Sequence, residues 1–194
     1  MRRAATTIGL VLVTLAFVAC EGGLTPEQVA TKQALIDAHV ARAAVTHLVS
    51  RYGEVLEAPL PADAPPRSWE DVAAWRASAE GLAAGTYIAA LVTPAPVDPT
   101  FQRAKDIAAV TGGTAELVRL ALEPQGDWEA FRQAIETSKL RLLRAVEALE
   151  KGTKSYVLIE TRQETNMRTA GYTEMLAKAR SSEPTAPGGP TPTP

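Results

Sequence analysis

Residues 128–151, WEAFRQAIETSKLRLLRAVEALEK, have the most regular pattern in the chain and indicate its fold. Side chains of one face recur at spacings of three and four through three heptads, as in a helix that buries one side. These positions are Trp128, Phe131, Ile135, Ser138, Leu142, Ala145 and Leu149. Gly152 follows as a stop signal. Three heptads in so short a helix are more typical of a bundle core than of a coiled coil, so this stretch predicts helix-on-helix packing.

The composition of the whole chain favours the same architecture. Alanine is abundant, aromatic residues make up 5% of the 194 residues, and alternating strand-like patterns are nearly absent. We therefore predict an all-α fold, a four- or five-helix bundle over residues 25–180 with proline-rich connections. Residues 181–194 contain five prolines and two glycines and too few apolar side chains to fold, which predicts a disordered tail.

The first predicted helix has a complete start signal. Thr25 is expected to be its N-cap, Pro26 its first residue, and Gln28 the residue that completes a capping box. The helix is expected to end at about Leu56, because the proline-rich residues 58–67 cannot continue it.

The second predicted helix starts at Trp69, where Ser68 and Asp71 form another capping box. A stripe of small residues follows along it, namely Ala74, Ser78, Gly81, Gly85 and Ala89. Such a stripe lets a neighbouring backbone approach closely, which is the interpretation we favour. The alternative is that the glycines simply loosen or break the helix.

The third predicted helix is expected to be interrupted. Asp98 and Pro99 would be its N-cap and first residue, and the pair Gly112-Gly113 would break it. Thr114 would then cap a second piece that ends before Pro124.

The stretch 153–180 is predicted to form one long amphipathic helix. Its apolar face is thin and is expected to include Leu158, Met167, Ala170 and Leu176.

The first twenty residues, MRRAATTIGLVLVTLAFVAC, have the layout of a secretory signal. A basic start at Arg2 and Arg3 precedes an uncharged run from Ala4 to Ala19, and Cys20 follows directly. As a helix this run would span about 24 Å, less than the ~30 Å hydrocarbon core of a bilayer. A retained membrane anchor and plain secretion are the alternatives to a cleaved signal.

Residues 17–20, Phe-Val-Ala-Cys, resemble the lipobox of bacterial lipoproteins, in which a small residue precedes an obligatory cysteine. The resemblance covers only the signal and Cys20. It implies cleavage between Ala19 and Cys20, a diacylglyceryl group on the Cys20 sulfur, and an acyl chain such as palmitate on the new amino terminus. Residues 1–19 would then be the signal peptide, and residues 20–24 a lipidated tether.

The same resemblance implies a location. Lipid on Cys20 would hold the bundle on the extracytoplasmic side of a cell membrane. In organisms with two membranes, lipoproteins are commonly sorted by the residue after the cysteine. Glu21 in place of Asp points to the outer membrane, with the bundle facing the periplasm.

Charge and cysteine content exclude several functions. Loss of residues 1–19 would change the formal net charge from −2 to about −4, which leaves no basic footprint for nucleic acid. Cys20 is the single cysteine, so its lipidation would leave no thiol for a disulfide or for nucleophilic catalysis. The sequence also has no Walker A motif, no GxSxG and no Glu-x-x-His pair.

Two histidines, His39 and His47, are the candidates for metal or proton chemistry. About 12 Å would separate them along one helix, so they cannot ligate the same metal. His47 extrapolates onto the apolar face of the first helix and is the stronger candidate. We interpret it as a structural side chain with a local partner, and a ligand or proton role is the alternative. No metal and no cofactor is predicted.

Two further patterns are interpreted as structural and not as binding or catalytic sites. Gly112-Gly113 before Thr114 is the nearest approach to an anion-binding turn, but a glycine pair is more typical of a helix break. The carboxylates Glu129, Glu136, Glu147 and Glu150 fit a solvated helix face.

Together these patterns predict a lipoprotein that is not an enzyme. Its bundle would be a structural module or would bind a protein partner in the cell envelope. The alternative is a binder of a small ligand, with a pocket between helices. Cys20 is the predicted lipidation site, and His47 is the only other candidate functional residue.

Overall fold

The computed structural model describes residues 23–92 and 96–182, which form six α-helices and no strand. The helices are α1 (Pro26–Leu56), α2 (Trp69–Arg76), α3 (Ala79–Ala90), α4 (Ala104–Leu122), α5 (Trp128–Lys151) and α6 (Ser155–Ser181). The predicted all-α fold is therefore confirmed for this part of the chain. Four long helices form the bundle, and α2 and α3 are two short helices where one was predicted.

Several predictions concern residues outside the described part. These are the signal peptide 1–19, its cleavage site at Ala19 and Cys20, and the tail from residue 183 onward. Ser181, which was assigned to the tail, is the last residue of α6. None of the helices in residues 23–92 and 96–182 is both long enough and apolar enough to cross a membrane.

The central helix is α1, since it packs against each of the other five. Its predicted capping box is present. Thr25 Oγ1 accepts a hydrogen bond from the Gln28 N–H at 3.3 Å, and Gln28 Oε1 accepts one from the Thr25 N–H at 2.9 Å. Because neighbours surround α1, its buried residues lie on more than one face; they are Thr31, Ala34, Leu35, Ile36, Ala38, Val40, Ala41, Ala44, Val45, Leu48, Tyr52 and Gly53.

Side-chain contacts show that α1 and α6 run parallel. Near their starts, Gln28 Nε2 donates a hydrogen bond to Tyr156 Oη at 2.7 Å. Further along both helices, His47 on α1 contacts Tyr172 on α6. The first residues of α6 therefore lie beside the first residues of α1, at the end of the bundle that we call the Thr25 end.

The start of α4 lies at the same end. Glu27 Oε1 accepts a hydrogen bond from the Arg103 N–H at 2.9 Å, and at the opposite end Tyr52 Oη donates one to the Ala121 carbonyl at 3.2 Å. After the turn at Gly126, α5 returns antiparallel to α4. The last turn of α5 thus lies at the Thr25 end, where the Arg103 guanidinium donates hydrogen bonds to its carbonyl oxygens.

Aromatic side chains fill the opposite end of the bundle. Tyr52 lies between Trp69, Trp75 and Phe131, and Trp128 stacks on Phe131, with ring centroids 5.1–6.2 Å apart across the cluster. Burial raises the pKa of Tyr52 to about 12, so its hydroxyl stays protonated and donates its hydrogen bond. This cluster joins α1, α2 and α5.

The predicted second helix is wrong in its length, although its capping box at Ser68 is present. The helix ends at Arg76, and Ser78 starts α3 by accepting a hydrogen bond from the Gly81 N–H at 3.1 Å. A Cβ atom on Gly81 would lie 2.4 Å from the Trp75 carbonyl oxygen, so this glycine allows α3 to approach the last turn of α2. A Cβ on Gly85 would meet nothing within 4 Å. Of the two glycines in the stripe, only Gly81 is at a close approach, and that approach is to the preceding helix.

The predicted start of the third helix is also wrong. Asp98 Oδ1 accepts hydrogen bonds from the N–H and hydroxyl of Thr100, at 2.8 and 2.7 Å, and this closes a turn. The helix, α4, begins only at Ala104. Pro99 therefore lies in the turn and not at the first helical position.

The predicted break at Gly112-Gly113 is absent, because α4 runs through both residues. Thr114 Oγ1 donates to the Val110 carbonyl at 2.8 Å within the helix, so it is not a cap. A Cβ on Gly113 would lie 3.2 Å from Leu142 Cδ1, so this glycine faces α5 where the two helices are close. Without a helix start at this point, the candidate anion-binding turn is lost as well.

The last two helices match their predicted bounds closely. Asp127 caps α5, and the buried residues of α5 are Phe131, Ile135, Ser138, Leu142, Val146 and Leu149. Val146 is thus buried where the pattern favoured Ala145. The single helix α6 has a different inner face from the one predicted, since Leu176 is buried but Met167 and Ala170 are exposed.

Candidate functional site

A half-open groove of about 240 Å³ lies between α1 and α6. We call it the His47 groove; it is lined by Ala43, His47, Thr169, Tyr172, Thr173, Leu176, Ala177 and Arg180. Its volume is below the roughly 300–1,000 Å³ of typical ligand pockets. The groove therefore suits only a small ligand.

His47 is half-buried on the α1 side of this groove. Its Nδ1 lies 3.5 Å from Tyr172 Oη, and the two rings meet edge to face with centroids 5.9 Å apart. Burial lowers the pKa of the imidazole; the charge of Glu80 opposes this shift, and the charges of Arg51 and Arg180 add to it. Because the ordinary pKa of histidine is 6.5, a lowered pKa leaves His47 mostly neutral at pH 7. The local partner agrees with a structural role for His47 but does not test that prediction.

A buried carboxylate lies beside the groove. Glu80, in the first turn of α3, has a side chain that is 4% exposed. Arg180 Nη2 donates to its Oε1 at 2.5 Å, and Arg180 Nε and Arg51 Nη2 donate to its Oε2 at 3.2 Å. Glu80 therefore links α3 to α1 and α6.

The arginines determine the charge state of Glu80. Burial alone would raise the pKa of this carboxyl, but the hydrogen bond from Arg180 and the charges of Arg51 and Arg180 outweigh burial, so the pKa lies below its ordinary value. Both oxygens of this ionised carboxylate accept hydrogen bonds from arginine.

The ionisable groups at the groove are either paired or neutral. The Glu80 carboxylate is paired with Arg51 and Arg180. Burial also raises the pKa of Tyr172, so its phenol stays neutral. The groove thus offers a neutral imidazole, a phenol and the Arg180 guanidinium as hydrogen-bonding groups.

The other sequence candidates lie elsewhere. His39 Nε2 is 3.2 Å from Glu150 Oε1, so His39 faces α5, whereas His47 faces α6. Glu150, which was assigned to a solvated face, is therefore half-buried in an inter-helix contact. Within the described ranges, no group of three or more His, Cys, Asp or Glu side chains is placed to hold a metal ion. Cys20 lies outside those ranges.

Sequence reasoning identified His47 but missed its neighbours. Glu80 and Arg180 are 100 residues apart in the chain, and Tyr172 is 125 residues from His47. A glutamate in the first turn of a helix is common on a protein surface, so no local signal marks Glu80 as buried. Its burial follows only from the packing of α3 between α1 and α6.

Comparison with known proteins identifies no relative. No protein-family model, no curated protein and no solved structure matches the chain. Function must therefore be inferred from the residues of the chain itself.

Proposed function

We propose that the protein is a membrane-anchored bacterial lipoprotein whose helical bundle is a structural or partner-binding module of the cell envelope. The sequence Phe-Val-Ala-Cys at residues 17–20 supports the lipid anchor most directly, and the short distance along the chain between Cys20 and the fold supports a bundle held near the membrane. The capped first helix begins immediately after Thr25, five residues beyond Cys20. Five residues span at most about 17 Å, so acyl chains on Cys20 would hold the bundle close to the membrane surface.

The lipid itself would supply the anchoring energy. Each buried methylene contributes ~0.8 kcal/mol, and two or three acyl chains are enough for stable attachment. With Glu21 after the cysteine, we propose the outer membrane, facing the periplasm, in an organism with two membranes. The protein would then act by holding a rigid helical surface near an envelope partner.

The proposed lipid anchor is tested by the intact mass of protein purified from native membranes. The wild-type chain should begin at Cys20 and have the additional mass of its acyl groups. Cys20→Ser should abolish labelling by a fatty-acid probe, because the sulfur that accepts the diacylglyceryl group is gone. Far-UV circular dichroism should show unchanged helix content in the Cys20→Ser variant, because residue 20 precedes the capped start of α1.

Two outcomes would contradict this proposal. One is a mass that still includes residues 1–19, which indicates a retained anchor. The other is a chain that begins at Cys20 but has no acyl group, which indicates plain secretion.

A second candidate function is the binding of a small ligand in the His47 groove. The observation that favours it is the cavity itself, where His47, Tyr172 and Arg180 present polar groups to a mostly apolar lining. A thermal-shift screen against metals, lipids and cell-wall fragments tests it. A ligand that raises the unfolding temperature of the wild type, but not of His47→Gln, would support this alternative.

A further inference from the structure

The helix α6 has a second, exposed face, opposite its buried side chains. Three of the six large hydrophobic side chains exposed in the described residues belong to it: Tyr156 at 44%, Ile159 at 55% and Met167 at 68%. Exposed Gln163 and Ala170 continue the series at spacings of three and four. At 100° per residue the five positions lie within an arc of about 80°. We call them the α6 stripe.

The α6 stripe is not part of the bundle core. The buried residues of α6 are Val157, Thr161, Tyr172 and Leu176, which lie on the opposite side of the helix. The five stripe positions include no charged residue, and the next position along the same line is Glu174. The stripe is therefore an uncharged strip, about 21 Å long, that covers the first four turns of α6.

The stripe begins at the Thr25 end of the bundle. Tyr156, its first residue, accepts the hydrogen bond from Gln28 at 2.7 Å, and Gln28 is three residues after Thr25. The five residues from Cys20 to Thr25 reach about 17 Å at most. An anchor on Cys20 would therefore bring the start of the α6 stripe to the surface of the bilayer.

We propose that the α6 stripe lies in the lipid–water interface of the membrane that anchors the protein. This inference rests on the proposed lipid anchor, because the tether is what holds the stripe near the bilayer. Tyr156 suits the headgroup level, where an aromatic ring with a polar tip is favoured, and Ile159 and Met167 enter the acyl boundary. The Lys154 ammonium, 5.9 Å from the Tyr156 ring centroid, is available to lipid phosphates.

A lipid surface fits the stripe better than a second copy of the chain. A stable protein interface buries roughly 800 Å² on each partner, with about 20–30 residues a side. The stripe has five side chains, and polar Gln163 lies in its middle. A lipid interface needs no matching surface and tolerates a polar group at the headgroup level. With α6 on the membrane, the α4–α5 pair would be available to an envelope partner.

The test places a fluorescent probe on single cysteines in the full-length, lipidated protein. Acylation of Cys20 leaves only the introduced thiol reactive. Ile159→Cys and Met167→Cys place the probe on the stripe, and Glu147→Cys is the matched control, because it is exposed and lies near the same end of the bundle on α5. Each protein is labelled with an environment-sensitive dye and reconstituted into vesicles of phosphatidylethanolamine and phosphatidylglycerol. Quenching by lipids with a nitroxide headgroup reports contact with the bilayer.

We expect the dye on Ile159→Cys and on Met167→Cys to have blue-shifted emission, because both positions lie in the bilayer interface. Nitroxide lipids should quench most of that emission. The dye on Glu147→Cys should keep its emission. In one contrary outcome, the protein floats with the vesicles in a density gradient while the dyes on the stripe stay unquenched and exposed to water. That result overturns this inference and leaves the anchor intact. Blue-shifted probes that nitroxide lipids do not quench, with crosslinking between copies, overturn it in favour of a dimer. Protein that does not float with the vesicles overturns the anchor and this inference together.

Discussion

Among single residues, Glu80 shows how a buried charge can join separate helices. Moving a carboxylate out of water costs several kcal/mol unless it is paired and hydrogen-bonded. Arg51 and Arg180 meet that requirement from α1 and α6. Arg180 is itself half exposed, so part of the attraction is screened by solvent. The contribution of Glu80 to stability should therefore be below that of a fully buried pair.

Glu80→Ala is expected to lower the free energy of unfolding by about 2 kcal/mol, because it removes the link and leaves two arginines without their shared partner. Glu54→Ala is the matched control. Glu54 also pairs with Arg51, but its side chain is 55% exposed. Exposed pairs contribute less than about 1 kcal/mol, so the control should cost less. Urea denaturation of both variants measures the difference.

The Glu80 contribution should also depend on pH. Because the folded-state pKa lies below the ordinary value of 4.5, the stabilisation is complete above pH 4.5 and is lost as the pH falls through the folded pKa. Wild type and Glu80→Ala should therefore converge in stability in acid. Equal costs for the Glu80 and Glu54 variants, or a difference that persists in acid, would contradict the role assigned to Glu80.

Among the elements, α4 contains two adjacent glycines, Gly112 and Gly113, and substitution of each one shows what it does in the helix. Gly112 has open space around its missing Cβ, whereas a Cβ on Gly113 would press on Leu142. Gly112→Leu should raise the free energy of unfolding by about 0.5–1 kcal/mol, because leucine is the better helix former. Gly113→Leu should lower it by about 1–3 kcal/mol, because the added side chain has no room between α4 and α5.

Thermal and urea unfolding of the two leucine variants decide the point, since they differ only by one position along the helix. A loss of stability in Gly112→Leu would indicate that α4 is interrupted after all. A gain in Gly113→Leu would show that the two helices are not closely packed at Leu142.

The sequence predicted those elements whose signals are local. The start of α1 at Thr25 and the start of α2 at Ser68 follow from caps within a few residues. The helix α5 ends at Gly152 as predicted, but the φ of Gly152 is −99°, which is not the left-handed conformation of a glycine stop. A Cβ on Gly152 would lie 2.6 Å from Arg103 Nη1, a contact between residues far apart in the chain. The prediction failed where a distant contact decides the structure. The helix α4 runs through Gly113, which faces Leu142 of α5, a residue far along the chain.

The same distinction applies to the candidate site. His47 was identified because it extrapolates onto the apolar face of one helix, which is a local property. Its neighbours Glu80, Tyr172 and Arg180 come from helices that meet α1 only in the folded chain. The exposed face of α6 was missed for a related reason. A pattern with apolar residues on two sides does not show which side faces the core, and Met167 was therefore placed inside.

For the whole molecule, stability should be distributed unevenly because α1 contacts every other helix. Opening α1 requires all five of its neighbours to separate, which is global unfolding. By contrast, α2 has eight residues and one buried side chain, Val72, so it can open while the bundle stays folded. Amides between Leu35 and Leu48 should therefore exchange with solvent only at the free energy of global unfolding, and those of α2 at a lower one. Native-state hydrogen exchange measures both values in one experiment. Equal protection of α1 and α2 would show that the short helices are as firmly held as the centre.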